Sequence, residues 1–140
     1  MLLLPRKGIL AIAAVLDIAM NSRGKPVAAK SLASRHRLPP RHLEPVLQAL
    51  VRQGILRGVR GPRGGYELAR RESDIGTDEI LRAAGTVEDH NDAPLTGSAL
   101  LSSVVVPALA RAEETFSTAL SRITVADLAK SADKGHKSGG

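Results

Sequence analysis

The chain has 140 residues, a hydrophobic content of 43% and a formal net charge of +6. This length fits one modest core with an appendage, because domains usually span about 100 to 200 residues. The sequence contains no cysteine, which excludes disulfides, thiolate zinc sites, cysteine-ligated iron-sulfur clusters and thiol redox chemistry. One tyrosine and one phenylalanine leave a core of Ala, Val, Leu and Ile, which favours helices.

The apolar stretches near the start are too short to span a membrane. Gly8 to Val15 is followed closely by Asp17, and no small-residue cleavage site comes after it. We therefore expect a soluble, cytoplasmic protein.

Charge is distributed unevenly along the chain. Residues 1–71 hold 14 Lys or Arg against 3 acidic residues, net +11, whereas residues 72–140 hold 6 against 11, net −5. A polyanion is attracted to the first half and repelled by the second, which is typical of a nucleic-acid-binding module joined to another function. A solvated basic face without function is the alternative.

The first half predicts three helices. Apolar residues recur every three or four positions from Lys7 to Met20, which predicts an amphipathic helix, and a shorter helix is expected over 28–35. The Pro39-Pro40 pair stops a helix but suits a first turn, so the third helix is expected to begin near residue 40 or 41 and to stop at Gly54.

A basic β-hairpin follows the third helix. Residues 55–59 and 66–68 are predicted as strands, and the Gly-Pro-Arg-Gly-Gly run at 61–65 predicts a turn, because glycine allows positive φ. Helix, helix, turn, helix and hairpin in this order are typical of a winged helix-turn-helix. The predicted fold is mainly α with a small β-hairpin wing.

The second half predicts a helix that closes the core and a long helix outside it. Thr77 is expected to cap a helix over 78–84, and two helices follow, the second of them running from Pro107 to about residue 122. The second helix carries an apolar stripe that needs a partner, which predicts a two-fold dimer. The predicted dimer contacts are Leu109, Ala112, Phe116, Leu120 and Ile123.

The predicted organisation has four parts. We expect a DNA-binding domain over 1–85, a polar linker loop over 86–94 and dimerisation helices over 95–130. Residues 131–140 are mostly lysine, glycine and serine without apolar anchors, which predicts a disordered tail.

The segment from Leu38 to Leu68 carries a recognisable pattern. Its strongest part is Val-Arg-Gly-Pro-Arg-Gly-Gly-Tyr at 59–66, supported by Lys7-Gly8, by Leu16-Asp17 and by Ile-Thr-Val-Ala-Asp-Leu at 123–128. Over nearly its whole length the chain resembles the Rrf-type winged helix-turn-helix transcriptional regulators, the IscR/NsrR family.

The resemblance implies a dimeric, cytoplasmic bacterial regulator. Its third helix would enter the major groove of DNA, and its wing arginine, here Arg60, would reach the minor groove. Well-known members sense iron, nitric oxide or redox state through a cluster held by three cysteines between the fourth helix and the dimer helix. The corresponding stretch 88–106 has none, and Gly8, Ile9 and Ile12 stand where an acidic or His ligand is known. We therefore expect a member that lacks the cluster cysteines and binds no cofactor.

Sequence-specific contacts are expected from the third helix and the wing. At the helix start Arg41 suits guanine, and His42 or Glu44 suits other base edges. In the wing, guanidinium groups suit a narrow minor groove, and glycines allow close backbone approach, although a charged hairpin tip without function is the alternative. The wing candidates are Arg60, Arg63, Gly64 and Gly65.

Six further basic residues are candidates for phosphate contacts, although plain surface charge is the alternative for about half of them. The six candidates are Arg6, Lys7, Lys30, Arg35, Arg37 and Arg57.

Two positions depart from the expected pattern. Pro45 removes an amide bond to Arg41, which predicts a kink or a delayed start of the third helix. Arg37 stands where a turn glycine is usual, which costs about 1 kcal/mol if the backbone is left-handed.

The sequence predicts a sequence-specific DNA-binding transcriptional regulator, a repressor, that binds a palindromic operator as a homodimer. A protein-interaction module that acts through a partner protein is the alternative, and a small-molecule or protein effector stays open. No Ser-His-Asp grouping, phosphate-loop pattern or paired carboxylate points to an enzyme. Asp89 to Asp92 offers His and carboxylate ligands for a divalent metal, but a solvated linker is the favoured interpretation.

Overall fold

The structure is a computed structural model, and it describes residues 6–22, 24–87 and 98–138. Helices dominate, with one antiparallel hairpin in which Leu56 lies opposite Leu68 and Val59 opposite Gly65. The elements in chain order are α1 (Arg6–Asn21), α2 (Ala29–Arg35), α3 (Pro40–Arg52), β1 (Leu56–Val59), β2 (Gly65–Leu68), a 3-10 turn (Glu72–Asp74), α4 (Thr77–Gly85), a π-helical segment (Leu101–Val105), α5 (Val106–Ser121) and α6 (Val125–Ser138).

Elements α1 to α4 and the two strands form what we call the winged-helix body. Its core takes fully buried side chains from every helix, such as Ile18 of α1, Leu32 of α2, Leu47 of α3 and Ile80 of α4. The predicted fold class, mainly helical with a hairpin wing, is confirmed. Among the described residues, no helix combines the length and the apolar character that a membrane span requires.

The wing is joined to the chain before α2 by backbone hydrogen bonds. Val27 and Tyr66 each donate an N–H to the other's carbonyl at 2.8 Å, so Val27 forms an isolated antiparallel bridge to strand β2. A Cβ at Gly65 would collide with the Val27 carbonyl, and one at Gly64 would collide with the Val59 carbonyl. Both glycines are therefore required by close backbone packing. Tyr66 packs against the core.

Helix α3 tolerates its internal proline. The helix runs from Pro40 to Arg52 and includes Pro45, so the predicted delay of its start is wrong. Pro40 occupies the first turn, where a missing N–H costs nothing, and Pro45 lies on the exposed side, where the loss is one hydrogen bond to Arg41. One side of this helix packs into the core, with Leu43, Val46, Leu47 and Leu50 all buried.

Helix α4 begins one residue earlier than predicted, and Thr77 does not cap it. Thr77 is its first residue, and the cap position is Gly76, whose N–H donates to the Glu79 carboxylate at 3.1 Å. The Thr77 hydroxyl instead donates to the carbonyl of Leu120 in α5, at 2.7 Å. The Thr77 hydroxyl, which was expected to cap α4, therefore connects α4 to α5 by a hydrogen bond.

The long helix is continuous where two helices were predicted. Helical backbone begins at residue 99, passes through the π-helical segment and enters α5 without a break. Pro107 has no N–H to donate, and wider π-type bonding just before it lets the chain continue. The expected break at Pro107 is therefore wrong.

The chain returns to the body after α5. Thr77 donates its N–H to Ile123, and Val125 donates to Ile75, both at 2.9 Å, which places Val125 fully within the core. Helix α6 then packs on α1 and reaches Ser138. The disorder expected for residues 131–140 stays a prediction. The tail lacks large apolar residues but retains alanine and lysine, which favour helix. The predicted linker falls largely on residues 88–97, outside the described residues.

Candidate nucleic-acid interface

The first turns of α3 present polar side chains to solvent. Arg41, His42 and Glu44 are exposed, while Leu43 between them is fully buried. None of the three polar side chains forms a hydrogen bond or ion pair with another described residue. The helical period that buries the leucine thus leaves three polar groups available to a ligand.

The tip of the wing presents two more cations. Arg60 and Arg63 are exposed on either side of Gly61, which has φ 114°, and the turn is closed by the Gly64 N–H donating to the Gly61 carbonyl at 2.9 Å. Neither arginine is paired within the described residues. The predicted roles of Gly64 and Gly65 at DNA stay predictions, since backbone packing already explains both.

Two of the six phosphate candidates are held by acids. Arg35 makes a two-pronged contact with Asp17, with Nη2 to Oδ1 at 2.6 Å and Nε to Oδ2 at 2.9 Å. Arg57 pairs across the hairpin with Glu67, directly opposite in register, at 2.6 Å. In contrast, the side chains of Arg6, Lys30 and Arg37 have no such partner among the residues described, and Lys7 is engaged in an interaction.

Asp17 fixes α1 to the end of α2. Its side chain is 8% exposed and also lies 3.0 Å from His36 Nε2 and accepts from Asn21 Nδ2 at 3.1 Å. Burial alone raises the pKa of the Asp17 carboxyl, but hydrogen bonding and the charge of Arg35, with help from Asn21 and His36, outweigh it and lower the pKa below its ordinary value. The aspartate therefore stays ionised and anchors the helix that precedes α3.

This role of Asp17 was not among the predictions from sequence. The signal was available, because Asp17 is one of only three acids in the basic first half. An acid retained among so many cations is expected to have a specific partner.

The backbone of Arg37 is left-handed, with φ 53°. The expectation for this turn is therefore met, and the cost is about 1 kcal/mol relative to glycine.

Helix α5 exposes its apolar stripe. The exposed fraction is 63% at Leu109, 37% at Phe116 and 40% at Ile123. Ala112 is exposed as well, whereas Leu120 is half-buried near α4. The exposed apolar surface also extends further toward the start of the helix than predicted, through Leu100, Val104, Val105 and Val106.

A match to a family of known proteins fits this architecture. Residues 4–131 match the family model described as Rrf2, iron-dependent transcriptional regulator. The chain belongs to the Rrf2 family. The winged helix is thus the fold of a family of transcriptional regulators, as the resemblance implied.

Individual Rrf2 relatives agree with this assignment. The HTH-type transcriptional regulator IscR of Escherichia coli is 36% identical over 80 residues, which are 57% of this chain and 49% of that protein. The solved structure of T. potens IscR has a TM-score of 0.73 and 30% identity, covering 94% of this chain and 89% of that one. CymR of B. subtilis shares the fold, with a TM-score of 0.69 and 23% identity, over 93% and 98% of the two chains.

The chain spans about half the length of the curated relatives it matches. The family description names iron, so the available ligands matter. The 140 residues contain no thiol, and the described residues hold no group of three or more His, Asp or Glu that could bind a metal. These residues do not fit a thiolate-held cluster. The segment Asp89 to Asp92, weighed as a metal site but interpreted as a solvated linker, lies outside the described residues.

Proposed function

We propose that this Rrf2 protein is a sequence-specific DNA-binding repressor, that it binds a palindromic operator as a homodimer, and that it does so without an iron-sulfur cluster. One contrast carries the proposal. Arg35 and Arg57 are neutralised by acids, whereas Arg41, Arg60 and Arg63, on the two elements that a winged helix uses to read DNA, are exposed without an acidic partner among the described residues.

Each element contributes a different contact. Arg41 stands in the first turns of α3, where a recognition helix meets base edges, and a guanidinium pairs with the O6 and N7 atoms of guanine. The wing arginines suit the minor groove, whose negative potential rises where it is narrow. The net charge of +11 over residues 1–71 attracts the phosphates.

The dimer follows from the exposed stripe of α5. In the described structure none of the residues of α5 is buried, although the helix carries Leu109 and Phe116. A large apolar stripe in water is unfavourable, and a second copy offers the same stripe in a two-fold arrangement. A two-fold protein reads a palindrome, because each half-site meets an identical body.

The test of DNA binding is fluorescence anisotropy with a duplex selected by footprinting. We expect Arg60→Ala and Arg63→Ala each to weaken binding by about 1–3 kcal/mol while sedimentation still shows a dimer. Lys130→Ala, an exposed cation on α6, is the matched control and should bind like the parent. Steep salt dependence is expected for the parent. If the parent lacks it and both wing variants bind normally, the protein-interaction alternative is favoured.

The dimer is tested by Phe116→Asp, which places a charge in the proposed seam. Analytical ultracentrifugation should show monomers, and operator affinity should fall with dimerisation. Thr118→Asp, placed on the opposite side of α5 by the helical period, is the control and should remain dimeric. A Phe116→Asp protein that dimerises as tightly as the parent would rule out this seam.

A further inference from the structure

The ends of α2 and α3 share one backbone motif. After α2, Leu38 donates its N–H to Ala33 at 2.9 Å and Arg37 donates to Ser34 at 3.3 Å. After α3, the same two bonds run from Ile55 to Leu50 and from Gly54 to Val51, both at 3.0 Å. This is the Schellman arrangement, which requires a left-handed residue just beyond the helix and usually takes glycine there.

The two ends differ in the residue that adopts the left-handed backbone. Gly54 has φ 75° and follows the rule, whereas Arg37 has φ 53° and breaks it. Within the described residues, Arg37 is the one non-glycine residue with positive φ. A side chain with a Cβ is disfavoured in this conformation, so glycine at position 37 would make the turn more stable.

Contacts among the residues that the structure describes do not explain why an arginine stands at position 37. The Arg37 side chain is exposed, and it forms no hydrogen bond or ion pair with any other residue that the structure describes. The Asp17 carboxylate, which contacts the end of α2, already forms hydrogen bonds with Arg35 and His36. No contact among the described residues offsets the strain at Arg37, and such uncompensated strain is a reason to look for a ligand.

The position of Arg37 indicates which ligand. It lies in the turn between the two helices of the helix-turn-helix, four residues before Arg41. In this motif the second helix enters the major groove while the first crosses the sugar-phosphate backbone, so the turn between them faces phosphates. A guanidinium offers two parallel N–H donors to phosphate oxygens.

We propose that Arg37 is a phosphate-binding residue that anchors the turn of the helix-turn-helix on the DNA backbone, at the expense of a strained helix end. This inference rests on the proposed function and adds to it a positioning contact. Arg37 sets where α3 lies in the groove, while the base contacts come from α3 itself.

The test combines two measurements on Arg37→Gly. Urea denaturation should show a folding equilibrium constant about fivefold larger than that of the parent, because glycine relieves the strain. The affinity for the operator should fall about tenfold, because one charged contact per half-site is lost. The affinity for an unrelated duplex should fall by the same factor, because a phosphate contact does not depend on sequence. The slope of log K against log salt should become shallower by about 0.9 per half-site.

Two companion variants complete the design. Arg37→Lys keeps the charge and the strained backbone, so it should retain the parent's salt slope and its stability. Gly54→Arg places arginine in the same motif at the other helix end, so it should reduce the folding equilibrium constant and thereby confirm the cost of the residue itself.

The outcomes separate this inference from the function on which it rests. A parent protein that shows no salt-dependent binding to duplex DNA overturns both. A parent that binds, together with an Arg37→Gly protein that is more stable and binds with unchanged affinity and slope, overturns the phosphate contact alone.

Discussion

In the winged-helix body, Leu47 is fully buried, whereas Leu109 of α5 keeps 63% of its surface exposed. Both are leucines on amphipathic helices, yet α3 packs into a core and α5 contacts the body mainly through α4 near its own end. The difference teaches that one chain carries two kinds of apolar surface. The apolar surface of the body stabilises the fold, whereas that of α5 is the surface proposed to contact a second copy.

The largest effect is expected where the two leucines are compared directly. Leu47→Ala should lower the free energy of unfolding by about 2–5 kcal/mol, because it leaves a cavity in a packed core. Leu109→Ala should leave the unfolding of the dilute monomer within about 0.5 kcal/mol of the parent and weaken association instead. Urea denaturation and sedimentation separate the two effects. Equal destabilisation by both variants would contradict the comparison.

A smaller, pH-dependent effect is expected at Asp17. Asp17→Asn removes the charge that holds Arg35 and should cost about 1–3 kcal/mol at neutral pH. Because the pKa of Asp17 is lowered in the fold, this stability is present above its ordinary pKa of 3.8 and is lost as the pH falls through the lower folded pKa. Parent and variant should therefore converge in acid.

The control for Asp17 is Glu67→Gln in the hairpin. Its partner Arg57 has 64% of its side chain exposed, so the loss should stay below about 1 kcal/mol. Urea titrations of both variants over a range of pH provide the measurement. A gap between parent and Asp17→Asn that persists at the lowest pH would argue against the ion pair.

The smallest effect is expected at the joint between the body and α5. Thr77→Val removes the 2.7 Å bond to Leu120 and should cost about 1 kcal/mol. Operator affinity should fall by more than this, since α5 sets the spacing of the two bodies in the proposed dimer. Thr86→Val removes a bond of equal length to Ala83 at the C-terminal end of α4 and is the control. Equal operator binding by both variants would show that the joint does not set the spacing.

Periodicity and turn chemistry predicted most of the body. The stripe from Leu43 to Leu50, the stop at Gly54 and the glycine-rich wing all depend on neighbours in sequence, which a pattern records directly. The arginines of the wing and the first turn of α3 were named from residue type, and the structure shows that they are exposed. Their contacts with DNA stay predictions.

Long-range pairings could not be predicted in the same way. The hydroxyl of Thr77 reaches Leu120, 43 residues away, and Asp17 reaches Arg35 across two helices. No local pattern distinguishes a capping threonine from one that bonds a distant carbonyl. The full length of α6 was not predicted because weak apolar content resembles disorder, although its start carries a reciprocal cap between Thr124 and Asp127.

The position of Val125 has a consequence for how the protein is made. This residue fills the core of the body, yet it follows the whole of α5 in the chain. A growing chain leaves the ribosome from its N-terminus, so the body cannot complete its core until residue 125 has emerged. By that moment α5 is already outside. A nascent chain therefore gains its finished body only when the helix proposed to recruit a second copy is also present.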